Sequence, residues 1–341
     1  MEDDSLSLCS WRHWMRRKLC CMKSRKCLIV SLVLFILLVY GWNTSLLAPK
    51  VGRPFLLAHR GLAQTFPMDG IQWDTNTAER IYPPEHPYLE NTIDSMRAAF
   101  DFGADMVELD VQVSKDGQLA VFHDHRLDYR SDGHGSIADF TMEELKHFDI
   151  GYAYTADNGK TYPFRGKGVA LMPSLQEVLD SFPHGAFLIH LKNADPEEGK
   201  ALALFLMEHY PERISNLAVY GSDLAVEEVA SRLPEIRVFS MKIAKKSLIP
   251  YLLVGWTGYV PQNLRNSVLY LPLRYARFLW GWPHRFVYRM KVHHTQFILV
   301  NGNGKWSEGF DSLEDLSKLP KGYSGGIWTN RIDILGSFYN K

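Results

Sequence analysis

Three short apolar runs in this chain each end in ionisable residues: Phe55-Leu-Leu-Ala-His-Arg-Gly61, Val107-Glu-Leu-Asp-Val111 and Ala120-Val-Phe-His-Asp124. A parallel barrel presents its chemistry in this way, with polar groups at or just past the C-terminal ends of buried strands. Such a fold would gather two histidines and two carboxylates at one mouth. From residue 54 onward apolar runs alternate with helical patterns, which argues for βα units. Strands are predicted at 55–59, 105–111, 118–123, 186–191, 217–220, 236–240, 297–300 and 325–329. Eight is the barrel number, so the expected fold class is α/β, a (β/α)8 TIM barrel. Helices are expected at 90–102, 141–148, 174–182, 196–209, 224–233 and 312–319. Several carry start signals, with Thr141 three residues before Glu144, Ser174 before Glu177, and Asp195 before Pro196.

Two segments are too long for plain connections and are read as insertions in the barrel. Residues 62–89 contain Pro67, Pro83, Pro84 and Pro87 and are expected to hang over the mouth. Residues 241–296 lie in a stretch without Asp or Glu between Glu235 and Glu308, where Lys245, Lys246, Arg274 and Arg277 alternate with Trp256, Tyr259, Phe278 and Trp280. Cations beside aromatic rings suit an element lying at a lipid interface. A solvated helical excursion with its own small core would have the same composition.

Ahead of the barrel, Cys27 to Ala48 form an uncharged run of 22 residues, preceded by Arg12, Arg16, Arg17, Lys18, Lys23, Arg25 and Lys26. That length crosses a hydrocarbon core of roughly 30 Å, and the basic flank stays inside. The expected organisation is a basic cytoplasmic tail at 1–26, a transmembrane signal anchor at 27–48 and a barrel at 52–341. This makes a single-pass membrane protein whose domain faces the exported side, periplasmic or luminal and extracellular. A cleaved signal peptide is the alternative, although no good A-x-A site precedes Pro49. Export makes nucleic acid a poor partner for the basic stretch. The cysteines, Cys9, Cys20, Cys21 and Cys27, all precede the globular part, which excludes a disulfide, a thiolate metal site and a cysteine nucleophile there.

Glu108 and Asp110 are two apart, so on a strand both face the barrel interior while Leu109 and Val111 face the helices. Two carboxylates about 6 to 7 Å apart repel, and a hard divalent cation relieves the repulsion. A structural pair bonded to loop amides is the other reading. His59 and His123 each close an apolar run. Single histidines of this kind are commonly structural, but two of them flanking an acidic pair suit general acid and base catalysis, with one ring protonated and one neutral near pH 7. Arg60 offers a planar fork that matches phosphate oxygens.

The His-Arg-Gly at 59–61, Glu-Asn-Thr at 90–92, Glu-Leu-Asp-Val at 108–111, Ser-Lys-Asp-Gly at 114–117, His-Asp at 123–124 and Met-Pro-Ser-Leu-Gln-Glu-Val-Leu at 172–179 resemble the glycerophosphodiester phosphodiesterase family, and Ile327-Trp-Thr-Asn330 is similar to its last-strand motif. The resemblance implies a metal-dependent barrel that hydrolyses glycerophosphodiesters to glycerol phosphate and an alcohol. His59 and His123 would be acid and base, and Glu108 and Asp110 the metal ligands. Arg60 and Lys192 would hold phosphate, with Glu90 and Trp328 at the substrate. Where the family carries a third metal-binding glutamate, this chain has His190. The expected cofactor is Mg2+ or Ca2+, with the histidine weakening Ca2+ and shifting preference toward Mg2+, Mn2+ or Zn2+. The anchor leaves open a membrane-lipid phosphodiesterase acting on a lysolipid, of lysophospholipase D or phospholipase type. A non-catalytic binding barrel is the remaining alternative.

Overall fold

The computed structural model describes residues 26–49, 52–72, 74–302 and 308–340; most of the expected basic tail, with Cys9, Cys20 and Cys21, falls outside them. The strands are β1 (Phe55–His59), β2 (Met106–Val113), β3 (Leu119–Val121), β4 (Phe187–Leu191), β5 (Leu217–Gly221), β6 (Arg237–Phe239), β7 (Val268–Pro272), β8 (Gln296–Val300) and β9 (Gly326–Thr329). All except β3 form one parallel sheet in the order β6-β5-β4-β2-β1-β9-β8-β7. The sheet curls into a nearly closed barrel. No ladder joins β6 to β7, and the seam is bridged by the rings of Phe239 and Tyr270, 4.0 Å apart. Strands wrapped by helices are apolar on both faces, and Leu57, Val107, Leu109, Ile189, Val219 and Ile298 are fully enclosed.

The helices are α1 (Lys26–Asn43), α2 (Ile93–Asp101), α3 (Met142–Leu145), α4 (Leu175–Ser181), α5 (Pro196–His209), α6 (Asp223–Arg232), α7 (Met241–Val254), α8 (Leu273–Ala276), α9 (His284–Val292), α10 (Leu313–Ser317) and α11 (Ile332–Tyr339). The sequence signals for helix starts are realised in side-chain caps. Thr141 with Glu144 and Ser174 with Glu177 close reciprocal capping boxes, and Asp195 accepts from the Glu197 amide. α1 is long and apolar enough to cross a membrane.

Two expectations need correction. The run at 118–123 is not a barrel strand: β3 pairs antiparallel with the end of β2, Val111 opposite Val121. An apolar run records burial and not direction, so antiparallel and parallel strands look alike in sequence. Residues 241–296 are not an insertion either, because they hold β7, the eighth member of the barrel, together with α7, α8 and α9. The real elaboration lies after β2. There Phe122, Leu127, Met142, Leu145 and Phe164 build a separate small core, which Ile81 and Leu89 of the 62–89 segment join.

Candidate active site

β1 ends in a turn that only certain residues permit. Arg60 and Gly61 both adopt positive φ, 57° and 77°. A Cβ at Gly61 would lie 2.5 Å from Ser95 Oγ and 2.8 Å from the Ser95 carbonyl carbon, so glycine is required where β1 meets α2. The turn directs the Arg60 amide onto Glu108 Oε2 at 3.1 Å. It also brings the Arg60 side chain to Glu90 Oε1 at 2.9 Å and to within 3.1 Å of Asp110 Oδ2. The Arg60 Nε–H is not aligned for a hydrogen bond there, so that last contact is purely ionic.

Glu108 and Asp110 are fully buried and share the interior face of β2. Asn91 clasps Asp110, donating from Nδ2 to Oδ2 at 2.9 Å while its Oδ1 receives the Asp110 amide at 3.1 Å. From β5, the Tyr220 hydroxyl donates to Glu108 Oε1 at 2.6 Å. His190 Nδ1, on β4, is 2.8 Å from Asp110 Oδ1 and 3.9 Å from Glu108 Oε1, its ring stacked on Tyr220. Lys192 Nζ is 3.6 Å from Asp110 Oδ1.

Burial and the neighbouring Asp110 push the Glu108 carboxyl up. Burial acts against ionisation of Asp110 as well, yet Lys192 and Arg60 hold it well below the usual carboxylate range. One atom each from Glu108, Asp110 and His190 lie within 4.8 Å of one another. Donors bonded at about 2.0 to 2.2 Å to one cation would be spaced on this scale, and two carboxylates with an imidazole suit a divalent ion. These residues fit such a group.

The two expected catalytic rings are held differently. Asn330 donates from Nδ2 to Asp311 Oδ2 at 2.8 Å, so its Oδ1 is the acceptor that faces His59 Nδ1 at 2.6 Å. That bond leaves His59 Nε2 without a hydrogen, 3.7 Å from Glu108 Oε2. His123 Nδ1 instead meets a carboxylate, Asp124 Oδ1, at 2.7 Å, and Arg130 clamps Asp124 through two of its nitrogens. Arg130 also reaches Glu90 Oε1 at 2.7 Å. Gln112, third in the alternating series after Glu108 and Asp110, donates to the carbonyls of Phe122 and Asp124 at 3.0 and 2.7 Å and so brackets His123.

A 930 Å3 cleft opens from His59 and Arg60, between the 64–69 and 82–86 segments on one side and residues near Asp311 and Arg331 on the other. The 62–89 segment therefore lines the mouth as expected.

Against this geometry, the model of the glycerophosphoryl diester phosphodiesterase family matches residues 59–241. A glycerophosphodiester phosphodiesterase of Caldanaerobacter subterraneus is 38% identical over 253 residues, 74% of this chain and 93% of the relative. The chain belongs to the glycerophosphoryl diester phosphodiesterase family. It is accordingly a phosphoric diester hydrolase.

A Bacillus subtilis glycerophosphodiester phosphodiesterase is 38% identical over a shorter stretch of 122 residues, 35% of this chain and 39% of that relative. Among solved structures, the glycerophosphoryl diester phosphodiesterase domain of a Mycobacterium tuberculosis protein aligns with a TM-score of 0.59 at 15% identity, covering 84% of this chain and 99% of the other. The Agrobacterium tumefaciens glycerophosphodiester phosphodiesterase aligns at 0.56 and 22%, covering 85% and 100%. These likenesses establish the barrel fold.

In this phosphodiesterase the residues expected from sequence stand around one centre. Burial and Arg60 lower the pKa of His59, and burial, Arg60 and Lys192 lower that of His123 to about 4, so burial and the adjacent cations both favour the neutral rings. Trp328, expected at the substrate, is buried behind His59 with ring centroids 4.9 Å apart. Its place is the back wall of the site.

Sequence reading assigned no role to Gln112, Arg130, Tyr220 or Asp311. Gln112 had a signal in the i, i+2, i+4 alternation along β2. Arg130, placed in a loop by its partners, had none.

Proposed function

We propose that this phosphodiesterase cleaves glycerophosphodiesters by paired histidine acid–base catalysis with a divalent ion held by Glu108, Asp110 and His190. Such an ion, when bound, polarises the phosphoryl oxygens. Arg60 and Lys192 bind the anionic phosphate. Burial depresses both imidazoles and these cations add to it; a bound phosphate anion offsets the cations and so favours a proton on one ring.

The observation that carries the reading is the unequal backing of the two rings. His123 has a carboxylate behind it, which stabilises its imidazolium, so it takes the proton of the attacking hydroxyl, whether water's or the substrate's own. His59 has only a neutral amide behind it, so its imidazolium is the stronger acid and gives its proton to the departing alcohol oxygen. The reaction breaks the bond from phosphorus to that oxygen and forms one to the attacking oxygen. Exchange with solvent restores both rings.

The test is turnover of glycerophosphocholine. His59→Ala and His123→Ala are each expected to lower kcat by on the order of 10²-fold or more, the usual effect of removing a general acid or base. Unchanged kcat in both variants would refute the mechanism. The same reading makes α1 a signal anchor, with residues 1–26 cytoplasmic and the barrel exported. Protease protection of the intact chain in sealed vesicles tests that orientation.

A further inference from the structure

α1 does not leave the barrel at a free linker. Its last turn is bonded into the α7–α9 region: Asn43 Nδ2 donates to the Trp256 carbonyl at 2.7 Å, and Arg289 donates to Asn43 Oδ1 at 3.0 Å and to the Trp42 carbonyl at 3.2 Å. Beyond the joint, Ser45 Oγ accepts the His284 amide at 3.0 Å. The contact also runs down the helix. The Trp256 ring meets Phe35 edge to face, centroids 5.6 Å apart. Phe35 stands eight residues before Asn43, about 12 Å along an α-helix and near the middle of α1.

A protein group touching the middle of a membrane-spanning helix lies at membrane depth itself. Trp256 follows the C-terminus of α7, where Leu252, Leu253 and Val254 are exposed, Leu253 to 70%. Phe278 is likewise 70% exposed, and Trp280 binds this tip by donating from Nε1 to the Leu252 carbonyl at 2.8 Å. Between α1 and the tip runs a 410 Å3 groove lined by Phe35, Ile36, Val39, Tyr40, Trp256 and Trp280. The charges nearest the tip in sequence are of one sign, while Asp223 and Glu227 of α6 meet Lys242 at the far end of α7. Lys245 and Lys246 are exposed on α7 about 10 Å up the helix from Leu253, and exposed Arg274 and Arg277 precede Phe278. That places cations at headgroup height when the tip is in the acyl layer, with no carboxylate in the surrounding sequence to repel anionic lipid.

We propose that the barrel is a monotopic as well as an anchored domain: the tip formed by Leu252, Leu253, Val254, Trp256 and Phe278 is sunk into the leaflet beside α1, with lipid filling the groove between them. This rests on reading α1 as a membrane anchor. The occupant is lipid because the surface continues from a helix whose own surroundings would be acyl chains.

The test uses the full chain with Cys9, Cys20, Cys21 and Cys27 changed to Ser, reconstituted in phosphatidylcholine–phosphatidylglycerol vesicles. Spin labels are placed singly through Leu32→Cys in α1, Leu253→Cys and Phe278→Cys at the tip, and Leu313→Cys on α10. All four parent side chains are exposed, so the fold tolerates the labels. Labels at 32, 253 and 278 are expected to collide more with oxygen than with a water-soluble nickel chelate, and the label at 313 to show the reverse. A label at 32 in lipid with 253 and 278 in water overturns the inference and leaves the anchor standing. Labels at 253 and 278 shielded from both reagents overturn it in favour of a protein cover. A label at 32 in water overturns the anchor and the inference with it.

Discussion

Asn330 decides which nitrogen of His59 is free, because its own amide orientation is dictated by Asp311. Removing its side chain would remove that acceptor. In Asn330→Ala the His59 imidazolium loses a hydrogen-bond partner that raises its pKa, so the pKa falls. His59 acts in its protonated form, so the alkaline limb of the kcat–pH profile should move to lower pH. An unmoved limb would separate His59 from the proton-donating step. His190 allows a second test at this scale. His190→Glu adds a negative, hard ligand beside Glu108 and Asp110, and activity titrated with Ca2+ should reach half-maximum at about tenfold lower concentration or less. No difference between variant and parent would remove His190 from the cation site.

At the scale of elements, His123 depends on a structure outside the barrel. β3, the bracket from Gln112 and the small core around Phe122 and Leu145 hold it, and Arg130 ties that core to the site through Tyr154, Asp124 and Glu90. Arg130→Met strands two buried carboxylates and should cost about 3 to 5 kcal/mol in denaturant unfolding at pH 7. The pH dependence has a definite sign. Burial alone would raise Asp124 and Glu90, but Arg130, with Arg60 also acting on Glu90, holds both below their ordinary values. Their contribution is therefore present above about pH 4 and lost as pH falls through the folded values. The penalty of Arg130→Met should shrink as pH falls below about 4, and a penalty that stays constant there would argue against the ionic account.

This level also marks where sequence reading stops. His59, Arg60, Glu108 and Asp110 were legible because each sits at or near the end of an apolar strand, where spacing determines facing; Lys192 was legible only through the family resemblance. β3 was legible as an apolar run but not as antiparallel. β7 was hidden because its residues, Val268 to Pro272, stand among cationic and aromatic neighbours that suggested an excursion. The bond from Tyr220 to Glu108 spans 112 residues and that from Asn330 to His59 spans 271, distances over which no local pattern operates.

For the whole molecule, the joint between α1 and the barrel is centred on Arg289. It is buried, 7% exposed, and pairs with no carboxylate among the described residues. Its donors meet the Trp42 and Gly255 carbonyls, Asn43 Oδ1 and the Tyr251 hydroxyl. Trp42 lies in the last turn of α1, where carbonyls lack intrahelical partners and the helix dipole presents its negative end, so a cation there satisfies both. In Arg289→Met these acceptors lose a charged donor, a change of about 1.5 to 3 kcal/mol. The reacting groups lie elsewhere, so glycerophosphocholine turnover should stay within about twofold of the parent. Local opening of the joint, by contrast, should become tenfold more frequent for each 1.4 kcal/mol lost. Trypsin acting at Lys50, which follows the joint in sequence, should then separate anchor from barrel at least tenfold faster in the variant. Equal cleavage rates with equal thermal stability would mean that Arg289 does not hold α1 to the barrel, and Trp256 and Leu253 would lose the tether that sets their depth.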